Sequence, residues 1–75
     1  MDEEGFILSN KYRRAIFDGF VSGETSVDRI AKKYHIVHVV AKRVVNDFVD
    51  MGILKKKGKK YVFTEKGEKL VRSIG

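Results

Sequence analysis

The sequence contains no cysteine, so neither a disulfide nor a thiolate metal site contributes to its fold. Proline, tryptophan and glutamine are also missing and lysine is abundant, a combination compatible with a thermophilic source. No apolar run approaches the roughly 20 residues needed to cross a membrane. The acidic start from Met1 to Glu4 is unlike a signal peptide. We therefore expect a cytoplasmic protein with no membrane partner.

Groups of residues that carry out catalysis are also missing. The sequence shows no nucleophile–base–orienter set, no glycine-rich phosphate loop and no acidic pair in a cleft. His35 and His38 lie three residues apart, but no third ligand stands at a convincing spacing. We expect neither an enzyme nor a metal site, and no cofactor or small-molecule substrate is evident.

The chain length allows one domain. Its 75 residues, of which 43% are hydrophobic, suffice for a single small core. We find no internal repeat, low-complexity linker or composition shift that marks a boundary. The sequence therefore predicts one domain over residues 1–75.

The net charge of +6 is unevenly placed along the chain. Residues 1–54 carry eight Lys/Arg and eight Asp/Glu, which sum to zero, whereas residues 55–75 carry eight Lys/Arg against Glu65 and Glu68. The whole excess lies near the C-terminus, where five lysines surround Gly58. Crowded like charges repel, so this cluster predicts an anionic partner such as a nucleic acid.

Helical spacing of apolar residues recurs in the first two-thirds of the sequence. Ser9 or Asn10 can cap a helix that Gly23 closes, and Gly19 within it suggests close helix packing. Thr25 and Asp28 resemble a capping box before a helix over roughly residues 26–34. The short run Phe6–Leu8 is expected to form a strand or to lie against the core.

A longer helix is predicted from about His38 to Met51, with Gly52 as its stop. Its apolar residues fall within an arc of about 140° at 100° per residue, which predicts a core-facing stripe. The stripe comprises Val37, Val40, Ala41, Val44, Val45, Phe48 and Met51. The opposite flank carries long or polar side chains able to reach outward, namely His38, Val39, Lys42, Arg43, Asn46 and Asp50.

A β-hairpin and a last helix follow. Residues 53–57 and 60–64 are the predicted strands, and Gly58 supplies the positive φ of a tight turn. Tyr61 and Phe63 share one face, and Thr64 is the predicted cap of the last helix. Aromatic residues throughout stand at core-like spacing, which favours packing over base stacking; they are Tyr12, Phe17, Phe20, Phe48, Tyr61 and Phe63.

Three helices, a basic hairpin and a final helix make the α+β winged helix-turn-helix layout. Residues 30–36, 42–48 and 52–54 resemble the core of archaeal and bacterial winged-helix regulators of the MarR-like and ArsR-like kinds. Residues 63–67, Phe-Thr-Glu-Lys-Gly, are similar to the segment that ends the wing in many of them, and residues 12–17 resemble their first helix. The resemblance covers roughly residues 9–75.

The resemblance implies a small transcriptional regulator that binds double-stranded DNA, nucleoid-associated if the source is prokaryotic. Helix 38–51 would enter the major groove, and the wing would lie on the backbone. The expected base contacts are His38, Val39, Lys42, Arg43 and Asn46. The expected backbone contacts are Ser26, Lys55, Lys56, Lys57, Lys59 and Lys60. Regulators of this kind usually pair to read two half-sites, but the sequence has no long extra helix to build a large interface, so a homodimer and a monomer both fit it.

Two other functions fit the same residues. Val37, Val39 and Val40 near the start of the long helix favour a protein-interaction module of a replication or transcription assembly. A lysine-rich wing does not distinguish duplex types, so an RNA-binding domain is the other alternative. A surface lysine run can also be merely solvated or can protect a hairpin edge.

Overall fold

The computed structural model describes residues 2–74. This part of the chain forms five helices and one two-stranded antiparallel sheet. The elements in order are α1 (Glu3–Leu8), α2 (Lys11–Val21), α3 (Val27–Lys33), α4 (His38–Asp50), β1 (Leu54–Lys57), β2 (Lys60–Phe63) and α5 (Glu65–Ile74). The predicted α+β winged-helix architecture is confirmed, with α2, α3 and α4 as its three-helix core. None of the described helices is long and apolar enough to cross a membrane.

The first apolar run is helical, so the strand considered for Phe6–Leu8 is wrong. Asp2 caps α1 by accepting a hydrogen bond from the Gly5 N–H at 3.1 Å. Glu3 and Glu4 in the first turn complement the positive end of the helix dipole. Ile7 is fully buried, so the expectation that this run lies against the core is confirmed.

Aromatic packing joins the three-helix core to the hairpin. Phe17 contacts Phe48 edge-on at 6.4 Å between ring centroids and contacts Phe63 at 5.4 Å. Gly19 lets α2 approach α3, because a Cβ there would lie 2.7 Å from Ile30 Cγ2. Tyr12 departs from its predicted packing and is exposed at the surface.

The turn between α2 and α3 differs from the predicted capping box. Asn10 caps α2 as expected, accepting from the Tyr12 N–H at 2.8 Å. At α3 the cap is Ser26 rather than Thr25, with Ser26 Oγ accepting from the Arg29 N–H at 3.4 Å. Glu24 accounts for the difference, because its carboxylate accepts the N–H groups of both Thr25 and Ser26.

Helix α4 ends at Asp50, one residue before the predicted end at Met51, and Gly52 follows the cap with φ of 77°. Val37 does not belong to the core stripe and is 68% exposed. It precedes the helix in an extended conformation, so helical periodicity does not set the direction of its side chain. The turn before it depends on His35, which adopts a left-handed φ of 55°.

The wing hairpin has the predicted turn and slightly shorter strands. Gly58 has φ of 66° and precedes Lys59, which fits a type II′ turn. Leu54 pairs with Phe63, and Lys57 pairs with Lys60. The first strand therefore begins one residue later than predicted, and the second ends one residue earlier.

Helix α5 closes the fold against the base of the wing. The Gly67 N–H donates to the predicted cap Thr64 Oγ1 at 3.0 Å, and Thr64 Oγ1 also hydrogen-bonds the Gly52 carbonyl oxygen. Lys66 Nζ lies 2.6 Å from Glu3 Oε2 and donates to the Met51 carbonyl oxygen at 2.9 Å. These contacts attach both terminal helices to the end of α4.

The ion pair between α1 and α5 gives stability a specific pH dependence. The Lys66 hydrogen bond holds the pKa of Glu3 below its ordinary value of 4.5. A carboxyl with a depressed folded-state pKa contributes its full stabilisation above pH 4.5 and loses it as the pH falls further. We expect Glu3→Gln to lower stability at neutral pH and to flatten this acid dependence in urea unfolding. Glu68→Gln, which changes an exposed carboxyl on α5, is the control, and an equal effect of both variants would contradict the assignment.

Candidate nucleic-acid interface

A cationic groove runs between the start of α3, the exposed flank of α4 and the inner face of the wing. Its volume is about 380 Å³. Polar and charged side chains dominate its walls, which comprise Ser26, Val27, Asp28, Lys42, Val45, Asn46, Lys56, Lys59 and Tyr61. Three ammonium groups and one carboxylate therefore face the same space. We call this feature the wing groove.

Helical spacing explains why α4 presents two of the predicted base-contact residues to the wing groove. Lys42 and Asn46 are four residues apart, so they lie one turn above each other on the same flank. Val45 beside them is buried against the core and fixes the rotation of the helix. The two polar side chains are consequently held on a rigid element rather than on a loop.

A backbone hydrogen bond fixes the wing beside this flank. The Tyr61 N–H donates to the Thr25 carbonyl oxygen at 3.1 Å, so β2 is attached to the segment that enters α3. The Tyr61 side chain is half-buried against the hydrophobic core. This attachment keeps the wing close to α4, with its inner face lining the groove.

Strand alternation divides the five wing lysines between two faces. Residues paired across the hairpin share a face, so Leu54, Lys56, Tyr61 and Phe63 form the inner one. Lys55, Lys57, Lys60 and Val62 form the other, which we call the outer wing face. Lys59 in the turn lines the groove together with Lys56. Within residues 2–74, none of these lysines lies within 4.0 Å of a carboxylate.

His38, a predicted base contact, interacts with another protein side chain at the rim of the groove. Its Nε2 lies 2.6 Å from Asp28 Oδ1, which joins the start of α4 to α3. Both side chains are exposed, so this contact competes with water. His38 therefore presents only its remaining ring nitrogen to a ligand while this contact persists.

Val39 and Arg43 lie on the exposed flank of α4 but not along the wing groove. They are separated by one helical turn and both side chains are exposed, Val39 to 77%. At 100° per residue, they stand farther from the wing than Lys42 does. The structure thus brings Lys42 and Asn46 together with the wing and leaves Val39 and Arg43 on the exposed flank outside the wing groove.

Ser26 lines the groove, but the amides around it are already occupied. Glu24 Oε1 accepts the N–H groups of Thr25 and Ser26 at 3.0 and 3.3 Å. The carboxylate of Glu24 would also repel a phosphate that approached these amides. Ser26 can therefore offer its hydroxyl hydrogen to a phosphate, whereas its own backbone N–H is occupied.

Two polar residues of the groove, Asp28 and Tyr61, were not predicted as site residues from the sequence. Asp28 was interpreted as a helix-capping residue, and only the packing of α3 against α4 places it beside His38 and Lys42. Tyr61 was assigned to the core because it alternates with Phe63. A two-residue turn at Gly58 and Lys59 pairs Lys57 with Lys60 and therefore Lys56 with Tyr61. This register was the sequence signal that could have placed Tyr61 beside the lysines of the wing groove.

The fold and the groove together define a winged-helix domain. A family model described as winged helix-turn-helix matches residues 3–75. Because this match spans nearly the whole chain, the protein belongs to that winged helix-turn-helix family and is a DNA-binding domain of that class. Comparisons with curated proteins and with solved structures gave no match. The family is typically non-enzymatic.

Proposed function

We propose that this protein is a transcriptional regulator of the MarR-like or ArsR-like kind that binds double-stranded DNA through α4 and the wing groove. The observation that carries the proposal is the shared groove, in which Lys42 and Asn46 of α4 face Lys56 and Lys59 of the wing. A helix flank of 13 residues spans about 20 Å. The major groove, about 12 Å wide, admits a helix of this kind.

The residues divide by chemistry into those that read bases and those that hold the backbone. Asn46 can donate and accept the paired hydrogen bonds that suit adenine, and Arg43 can donate two to guanine. Lys56 and Lys59 are flexible point charges suited to phosphate oxygens. Lys42 lines the same groove and can contact either a phosphate or a base edge. Phosphate contacts orient the domain, and base contacts give it sequence preference.

Sequence preference is expected to depend on the α4 flank. We expect Asn46→Ala or Arg43→Ala to lower discrimination at one base position by about 1–3 kcal/mol while leaving general duplex affinity largely intact. The measurement is selection of bound duplexes from a random pool, followed by titration of the enriched sequence and of single-base variants.

The matched control for Arg43→Ala is Arg14→Ala, which removes an exposed arginine of α2 outside the groove. The control is expected to retain the wild-type preference. Uniform recovery of the pool by the wild-type protein would contradict a regulator that reads sequence, even if duplexes are bound.

A homodimer and a location in the cytoplasm or nucleoid belong to the same proposal. Two copies would present two α4 helices to half-sites about one helical turn, or 34 Å, apart. Leu8 is exposed on α1 and supplies apolar surface for such a contact. Sedimentation with and without the selected duplex measures the number of copies bound.

A second candidate function has one observation in its favour. Val37 and Val39 expose 68% and 77% of their surface at the start of α4, where a DNA reader usually carries polar side chains. They suit a protein-interaction module of a larger assembly. If the protein is an interaction module, Val39→Asp should abolish capture of its protein partner in a pull-down. If it reads DNA, the same variant should instead weaken binding in duplex titrations.

A further inference from the structure

The outer wing face is a second cationic surface, separate from the wing groove. Lys55, Lys57 and Lys60 lie on it around Val62, and all three lysines are exposed. Lys57 and Lys60 are directly paired across the hairpin, although like charges at paired positions are destabilising. No carboxylate among residues 2–74 lies within 4.0 Å of any of them. The protein therefore maintains an uncompensated charge cluster on this face.

A duplex held by the wing groove does not reach this face. The inner face, with Lys56 and Tyr61, is turned towards α4, and alternation turns Lys55 and Lys57 the opposite way. The minor groove is only about 6 Å wide, whereas two paired strands are already about 4.8 Å apart before side chains are added. The hairpin therefore cannot bury both faces in one duplex.

We propose that the outer wing face binds a second segment of duplex DNA, so that one protein molecule bridges two duplexes. This inference depends on the proposed function, because the first duplex must occupy the wing groove. The evidence for the occupant is charge complementarity: three ammonium groups lie along about 7 Å of hairpin, and duplex DNA offers a phosphate about every 1.7 Å of its axis. Lysine point charges bind such a backbone without sequence preference.

Energy transfer between two duplexes tests this bridging directly. Short duplexes of about two helical turns are labelled with either donor or acceptor, mixed, and titrated with the protein. We expect transfer to rise and then to fall at excess protein, because each duplex then carries its own protein molecule. Anisotropy of a single labelled duplex measures ordinary binding in parallel, and sedimentation of the free protein measures its oligomeric state.

Two variants that remove the same charge separate the two faces. Lys55→Gln/Lys57→Gln/Lys60→Gln on the outer wing face should abolish transfer and change single-duplex affinity by no more than about threefold, because the lost charges lie beyond close contact. Lys42→Gln/Lys56→Gln/Lys59→Gln in the groove should weaken single-duplex binding at least 100-fold, since each lost phosphate contact counts about eightfold at 0.1 M salt. All six side chains are exposed, so both variants are expected to fold, which circular dichroism checks.

Several results would overturn the inference while leaving the proposed function intact. One is duplex binding by the wild-type protein without any transfer between duplexes. Another is transfer that survives in the outer-face variant, which would indicate bridging by a protein dimer. A third is equal loss of single-duplex affinity in both variants, which would place both faces on one duplex. Absence of any duplex binding would instead contradict the proposed function itself.

Discussion

Replacing Lys56 and Lys59 together with glutamine is expected to weaken binding to duplex DNA about 60-fold at 0.1 M salt. Both side chains line the wing groove opposite Lys42, and each is assigned one phosphate contact. The logarithm of the affinity falls with the logarithm of salt concentration by about 0.9 per phosphate contact. Losing two contacts should therefore also reduce the salt slope by about 1.8.

The neighbouring pair Lys55 and Lys57 supplies the matched control. Lys55→Gln/Lys57→Gln removes the same charge from the same strand region but from the outer wing face. Screening by salt over about 10 Å leaves only a small effect on a duplex in the groove, at most about threefold. Equal weakening of duplex binding by the two double variants would mean that both faces of the wing contact the same duplex. A larger effect of the control would mean that the outer face carries the first duplex.

Gly67→Ala is expected to lower the free energy of unfolding by about 2 kcal/mol, a large effect on a domain this small. A Cβ at Gly67 would overlap the Ile53 carbonyl oxygen and lie 2.9 Å from Phe63 Cδ1. Overpacking of this kind costs about 1–3 kcal/mol, and a backbone oxygen has little freedom to move away. The gain in helix propensity from Gly to Ala, about 1 kcal/mol, offsets only part of a cost at the upper end of that range.

Thermal unfolding measures this effect well. For a domain of this size, 1 kcal/mol corresponds to about 4–8 °C in Tm, so Gly67→Ala should lower Tm by roughly 10 °C. Glu68→Ala, at the next and exposed position of α5, is the control and should change Tm little. A higher Tm for Gly67→Ala would mean that α5 does not approach the base of the wing as closely as the structure shows.

Much of the fold could be predicted from sequence because its signals are local. Apolar periodicity predicts the start of α4 correctly, and glycine chemistry predicts the Gly58 turn. The predicted outer ends of the two strands differ from the observed ones by one residue. Thr64 was identified as a cap because it precedes an amphipathic segment. Each of these features depends on residues within a few positions of each other.

Helix α1 was not predicted from the sequence because its stabilising contacts are distant. Three consecutive apolar residues fit a strand as well as a helix. Lys66 pairs with Glu3, Ser73 hydrogen-bonds Glu4, and Arg13 stacks over the Phe6 ring at 3.7 Å. Two of these partners lie more than 60 residues away in the chain, where no local pattern can indicate them.

The candidate site was predictable in its residue types but not in its arrangement. Sequence reasoning treated the five wing lysines as one cluster, and the hairpin register separates Lys56 from Lys55 and Lys57. The contact of His38 with Asp28 depends on how α3 packs against α4, which no spacing along the chain reveals. Single-sequence patterns give the chemistry available to a surface, and tertiary packing decides which groups share a groove.

The central claim is that the wing groove binds duplex DNA through phosphate contacts. The most direct measurement is the dissociation constant of the wild-type protein for one duplex at salt concentrations from about 50 to 200 mM. With three groove ammonium groups on phosphates, the slope of log affinity against log salt should be about −2.7. An affinity that stays constant across this range would contradict the account.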